Sequence, residues 1–375
     1  MASNLCVRLV ADEQDFRALE PTWNALVDGL SQQSVFYRHE WFDAAWQWCR
    51  TDSELRILCV YRAKQLVGIL PLILERKRRL GFGIRSLRFL SVPDSQVCDM
   101  LVGAENARHV ANTLAFWLSD SAAGWDYLLC EKLADSSTVR HFLLPALSER
   151  AIHGIENPDS LNPGIPMAGD WKTYYSSRTR RLKTGNNNIA NKMERAVDSI
   201  EVVWTKDQEI FEDLALQHTL DISAKSWKSD TGLTLDNPGP RDFLIRLTEH
   251  ARRNSWLSIW VLLLDGAAVA SEYQLIYQGT VHALRADYDS NHKSISPGSY
   301  LNWKLLERLF PSKATYYSMG PGANPYKDRW AINYEQQFRV EFYGPSFRGK
   351  VLRVVDESLK PRLKMLSGLV PWKKS

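Results

Sequence analysis

The amino-acid sequence predicts an α/β (α+β) protein of two successive units, each a mixed, mostly antiparallel sheet flanked by helices. Three observations predict it. Apolar residues at helical spacing alternate with short β-branched and aromatic runs along the chain. The same order of elements occurs twice, without obvious residue identity between the halves and without a short-period repeat. A stretch rich in Pro, Gly and Asn, 157–170, separates the two runs and reads as a linker. The expected units are 1–160 and 171–350, followed by a Lys-rich tail over 351–375.

The elements follow in order. Residues 5–10 suit a short strand. Phe16, Leu19, Trp23, Leu26 and Leu30 recur at helical spacing and predict a helix from Asp12 to Leu30. Trp41, Phe42, Ala45, Trp46 and Cys49 predict a second, His39–Cys49. Leu55–Tyr61 and Leu66–Leu74 form a hairpin across Ala63-Lys64-Gln65. Arg76–Arg79 with Gly81-Phe82-Gly83 reads as a basic excursion, and 85–89 and 97–102 as strands. A helix (105–118), a strand (125–130) and a helix (137–151) complete the first unit. The second holds a basic helix after Arg178, a strand at Ile200–Trp204, helices at 207–223 and 241–253, and then the segment Trp256–Trp330. That segment reads strand, turn, strand, strand, a helix opened by Ser296-Pro297-Gly298, a strand, and Gly320-Pro321-Gly322. Residues 339–343 and 351–355 are expected as closing strands.

Composition bounds the function. The 375 residues are 45% hydrophobic and 24% charged, normal for a globular protein with one or two cores. The five cysteines are odd in number, scattered within the first 130 residues and free of any CxxC or Cys/His cluster. Neither a disulfide framework nor a metal site is supported, and a reducing cytoplasm is the expected location. No apolar run approaches the ~20 residues of a membrane span, and the N-terminus lacks a signal-peptide pattern. Net charge is +4, yet Arg178–Arg195 alone holds six basic residues against Glu194. The basicity is therefore local, suited to phosphates or to a solvated helix face.

The helix start Ser296-Pro297-Gly298 follows a strand directly. Its first N–H groups and the positive end of its dipole make it a candidate anion seat, with Ser299 beside it. Strand-helix-strand order of this kind suits an acyl-transferase site and also occurs in non-catalytic folds.

Several motifs, taken in order, carry a resemblance. They are Leu66-Val67-Gly68-Ile69-Leu70-Pro71-Leu72; Leu87–Leu90 before Cys98–Leu101; Ser177-Arg178-Thr179-Arg180-Arg181-Leu182-Lys183; Ser226-Trp227-Lys228; Asp265-Gly266 with Ala268–Ala270; Ser296-Pro297-Gly298; and Pro325-Tyr326-Lys327-Asp328-Arg329-Trp330. Over roughly residues 15–345 the chain resembles the GNAT superfamily. Within it the likeness is to the cellulose-biosynthesis-type (CelD/BcsL-like) acetyltransferases, relatives of the Fem-type aminoacyltransferases. The resemblance implies two tandem GNAT-like domains, with acyl-CoA or an acyl carrier protein as donor to the second. The acceptor would be a small molecule or glycan, and aminoacyl-tRNA is the Fem-type alternative donor. The superfamily's Gly-rich pyrophosphate loop is reduced here to Ser294–Ser299, with Gly298 alone.

Direct attack on a thioester needs a base, donors for the oxyanion and an acid for the leaving thiolate. Strand alternation over 281–288 puts His282, Leu284, Ala286 and Tyr288 on one face and Val281, Ala283, Arg285 and Asp287 on the other. Asp287, near the donor loop, and His282, with a pKa suited to neutral pH, are alternative bases. Glu272, in the apolar run Val269–Ile276, is a third. The resemblance makes Tyr326 the acid and Lys327 a phosphate or carboxylate ligand. Trp227, Lys228, Arg285 and Arg181 are the candidate substrate contacts. A packing or solvated role stands beside each. A non-catalytic binding protein with a degenerate GNAT fold is the alternative from another class.

Overall fold

A computed structural model of the chain describes residues 5–79, 81–207, 209–226, 233–322 and 324–359. The strands are β1 (Leu5–Val10), β2 (Ser53–Arg62), β3 (Gln65–Arg79), β4 (Phe82–Phe89), β5 (Leu101–Val102), β6 (Tyr127–Leu133), β7 (Gly154–Pro166), β8 (Ile200–Trp204), β9 (Leu257–Leu264), β10 (Ala267–Tyr277), β11 (Thr280–Tyr288), β12 (Tyr316–Ser318) and β13 (Asn333–Tyr343). They form one sheet in the order β1-β2-β3-β4-β6-β13-β7-β12-β11-β10-β9-β8, with β5 against β3. Pairing is antiparallel except at β4–β6 and β11–β12, one parallel pair in each half. The mixed, mostly antiparallel α/β architecture is therefore the one the sequence predicts.

Turn chemistry sets the hairpins around the site. Asp265-Gly266 joins β9 to β10 and Gln278-Gly279 joins β10 to β11, each with two successive positive φ angles (49° and 78°; 48° and 79°). Two-residue turns of that hand match the right-handed twist of the strands they connect.

The expected linker is a strand. Gly154–Pro166 is β7, held between β13 and β12. Its prolines hid it. Pro158 lies beside the register shift between Gln336 and Phe338 of β13, and Pro163 lies just past the last residue paired with β12. A missing N–H is tolerated at such places. Gly164 is required here, because an added Cβ would fall 2.0 Å from the Tyr316 hydroxyl. Three other expectations change. Residues 12–30 form two helices, Glu13–Ala18 and Glu20–Asp28, the second started by Pro21. The basic excursion at 76–79 is the end of β3. Residues 347–354 are a helix capped by Ser346, where a closing strand was expected at 351–355.

Helices cover both faces. Helix His39–Cys49 of the first half lies on helix Pro238–Arg253 of the second, with Trp41 edge-on to Phe243 at 5.4 Å. Their shared core takes Tyr273 and Leu275 from β10. On the opposite face of the second half, helix Pro297–Leu309 packs with Trp260, Val281 and Tyr317. Where the first pair of helices meets, Asp43, 1% exposed, accepts from Arg246 Nε at 2.5 Å and lies 2.8 Å from His250 Nε2. Arg253 faces His250 Nδ1 at 3.0 Å; a guanidinium only donates, so the ring proton sits on Nε2, toward Asp43.

Candidate active site

The parallel pairing of β11 with β12 stops at His282–Ser318. Strand β11 runs on to Tyr288 while β12 ends, so the sheet parts there. The crevice opens into a cavity of about 740 Å³, lined by both strands, the start of helix Pro297–Leu309 and the segment 324–327.

A bulge decides which side chains enter it. Tyr273 pairs with Arg285 and Gln274 with Ala283, so Leu284 is an extra residue. Two successive side chains then share a face, and the simple alternation expected over 281–288 fails. Val281, Ala283 and Tyr288 belong to the core beneath helix Pro297–Leu309, and Leu284 joins the opposite core. Residues directly paired across strands share a face. Ala286 therefore shares the face of Glu272, and Asp287 shares the face of Ser271.

Glu272 is 3% exposed and lies on the cavity wall. Its Oε1 accepts from the Tyr317 hydroxyl at 2.5 Å and from Gln274 Nε2 at 2.7 Å. Gln274 is itself fixed, its Oε1 accepting from the Ser258 hydroxyl and Trp260 Nε1, both at 3.0 Å. Burial raises the Glu272 carboxyl above its ordinary value, and hydrogen bonds from Tyr317, Gln274 and Asn302 only partly oppose it. Among the described residues no cation contributes to that balance. Asn302, from the overlying helix, is 2% exposed and lines the same cavity, with its Oδ1 unpartnered. Tyr326 is half-buried on the same wall. Burial first, and the Glu272 charge second, push its hydroxyl well above the ordinary phenol value. Tyr317 is raised by the same two causes.

The structure thus brings Glu272, Asp287, Tyr326, Gly298, Ser299, Lys327 and Arg285 around one cavity. Their functional groups differ in availability. The Lys327 ammonium donates to the carbonyls of Gly320 (2.8 Å) and Pro321 (3.0 Å), fixing the loop after β12. The Arg285 guanidinium reaches Asp94 of the first half at 2.8 Å and the Leu233 carbonyl at 2.8 Å. Gly298 lets the helix approach β11, because a Cβ there would press on the Tyr288 ring at 3.3 Å. Ser296 caps the helix in the left-handed region (φ 54°, ψ 52°) without a side-chain cap, and does not line the cavity.

His282 is placed elsewhere. It lines a second cavity of about 560 Å³ between the halves, edge-on to Phe36 at 5.0 Å, and burial lowers its pKa to about 3. Arg181 lines a third cavity, beside Arg180 and Arg329. Trp227 and Lys228 lie outside the described residues.

Tyr317, Asn302 and Gln96 were missed from the sequence. Gln96, from the first half, closes the floor of the crevice. Its Nε2 donates to the Ala283 carbonyl at 2.8 Å, a group freed where the strands part. Its Oε1 accepts from the Ser318 hydroxyl at 2.8 Å and faces His282 Nδ1 at 3.1 Å. An isolated Gln in a loop gives no such signal in the sequence.

Among the described residues no group of three or more His, Cys, Asp or Glu is placed to hold a metal ion. No helix among them is long and apolar enough to cross a membrane.

Comparison with known proteins agrees with this geometry. Residues 178–328, which hold most of the cavity lining, match the model of the acetyltransferase (GNAT) domain. This region is thus similar to GNAT acetyltransferase domains. Among solved structures the chain is similar to FemX, at 9% identity and a TM-score of 0.57, over 90% of this chain and 98% of that one. It is similar to the C-terminal domain of a putative lysylphosphatidylglycerol synthetase from Agrobacterium fabrum (10% identity, TM-score 0.52, 91% and 97% covered). It is also similar to L-PGS from Bacillus licheniformis (11%, 0.51, 91% and 96%). At these identities the likeness is one of fold. No curated protein matches the chain by sequence.

Proposed function

We propose that the chain is an acyltransferase of the cellulose-biosynthesis (CelD/BcsL-like) type, with two GNAT-like units over 1–160 and 171–350. It moves an acyl group, acetyl in the simplest case, from the thioester of CoA or an acyl carrier protein. The acceptor is an amine or hydroxyl of a sugar, polysaccharide precursor or specialised metabolite. Five free cysteines, four of them buried, favour work in a reducing cytoplasm.

One observation carries the reading: a buried carboxyl with a raised pKa, Glu272, shares a cavity wall with Tyr326 where two parallel strands part. In the proposed step the acceptor's N or O attacks the thioester carbon and the C–S bond breaks. The acceptor's proton passes to Glu272, whose raised pKa makes it a stronger base than an ordinary carboxylate. Tyr326, which holds its proton at neutral pH, gives it to the departing sulfur. Asp287 is the alternative base from the same cavity, and Gly298 and Ser299 seat the donor.

Thiol release from acetyl-CoA and from an acetylated carrier protein, measured over an acceptor panel, tests this. Glu272→Gln and Tyr326→Phe are expected to lower kcat about a hundredfold or more while the protein stays folded. If neither donor binds by titration calorimetry, the thioester reading fails. If the donors bind and no variant at Glu272, Asp287 or Tyr326 changes turnover, a non-catalytic binding protein is the better account. The basic helix Arg180–Glu194 favours a second reading, a Fem-type transferase using aminoacyl-tRNA, whose binding would weaken steeply with salt.

A further inference from the structure

The basic segment expected around 178–195 does two jobs, and the structure separates them. Arg178 donates to the Trp330 and Ala331 carbonyls at 3.2 Å. Lys183 donates to the Ser176 carbonyl at 2.8 Å, and Lys192 to that of Ser294 at 2.7 Å. Those three charges fix the helix in place. Arg180 and Arg181 do not take part. They lie in the first turn of the helix, after the cap Thr179, and line a cavity of about 850 Å³. Arg329 lines it from the other side. No acidic residue is in its lining, and among the described residues none of these three guanidiniums has a carboxylate partner; Arg329 donates its Nε to the Pro325 carbonyl at 3.1 Å. Three like charges around one concavity repel one another unless an anion enters.

Position gives the cavity its meaning. It shares Pro325 and Arg329 with the crevice that holds Glu272 and Tyr326. Arg329 also lies 5.7 Å over the Tyr326 ring. By contrast the customary anion seat is weakened. Ser296 does not line the crevice, and the helix start keeps one glycine.

We propose that the cavity of Arg180, Arg181 and Arg329 is a diphosphate subsite for a small substrate of the same active site. This rests on the acyltransferase reading above. The diphosphate belongs either to the donor, as in CoA, or to a nucleotide-linked acceptor. Guanidinium forks suit either through paired N–H···O contacts, strengthened by the positive end of a fifteen-residue helix.

The test uses the full chain and titration calorimetry with inorganic pyrophosphate, CoA and UDP. Wild type is expected to bind pyrophosphate, and Arg180→Ala/Arg181→Ala to bind it about tenfold or more weakly, from the loss of two charge-assisted contacts. Lys64→Ala, a charge change in a distant turn, is expected to leave binding intact. Gly185→Leu gives a steric arm that removes no charge. Gly185 lines the cavity, and a Cβ there meets no atom within 4 Å, so the variant is expected to fold and to bind pyrophosphate weakly. A loss confined to CoA assigns the subsite to the donor, and a loss confined to UDP assigns it to the acceptor. Pyrophosphate binding that is absent in wild type, or equal in wild type and the double-arginine variant, overturns the proposal. Neither result touches thiol release, so the subsite and the acyltransferase reading fail separately.

Discussion

Two buried carboxyls show how this molecule divides structure from chemistry. Asp43 is 1% exposed and Glu272 is 3% exposed. Burial alone would raise both. At Asp43, hydrogen bonds from His250 and Arg246 and the charge of Arg246 outweigh burial and hold the carboxyl well below the usual range. At Glu272 the neighbours are a phenol and two amides, which donate hydrogen bonds and bring no charge, so burial wins. Asp43 is thus a fixed anion that ties a first-half helix to a second-half helix. Glu272 is a carboxyl whose proton can come and go beside a cavity. Burial by itself therefore does not set how a carboxyl behaves; the presence or absence of a counter-charge does.

The sharpest test of the contrast is Asp43→Ala. It leaves Arg246 with Glu249 alone and the buried His250 without its acceptor, and a loss of about 1–3 kcal/mol is expected in urea unfolding at pH 7. An unchanged midpoint would break the comparison. The pH dependence has a definite sign. The folded value of Asp43 is depressed, so its contribution is complete above the ordinary carboxylate value and is lost as pH falls below it. The gap between wild type and Asp43→Asn should therefore shrink under acid.

Glu272→Gln should do the opposite. The folded value of Glu272 is raised, so stability linked to it is present below the ordinary carboxylate value and declines as pH rises toward the folded one. The glutamine variant should match wild type below the ordinary carboxylate value and become relatively more stable as pH rises above it. Thermal melts across pH 4–9 read this directly, and a variant that melts below wild type throughout would assign Glu272 to structure. The smallest effect is expected at Ser296. A non-glycine residue in the left-handed region is strained, so Ser296→Gly should stabilise by about 1 kcal/mol without altering the cavity.

Much of the framework was legible because it is local. Turn pairs such as Asp265-Gly266, the apolar run in β10 and the helical spacing in His39–Cys49 each act over a few residues. Glu272 was legible as a carboxyl in an apolar strand, and Ser296-Pro297-Gly298 as a helix start. Strand β7 was hidden because its prolines look like linker signals until the bulge and the short neighbour that accommodate them are seen. The face assignments over 281–288 failed for a similar reason, since a bulge at Leu284 has no mark of its own in the sequence.

The sequence by itself determined the order and type of most elements, the carboxyl in β10, the tyrosine after β12 and the local excess of basic charge. These follow from periodicity, turn chemistry and composition, which neighbouring residues settle among themselves. Only the tertiary structure decided that Tyr317 meets Glu272 across 45 positions and that Gln96 closes the crevice from 187 positions away. It also decided which basic residues bind carbonyls and which face a cavity. Those outcomes depend on packing between distant segments, where burial and the presence or absence of a counter-charge set what a side chain can do.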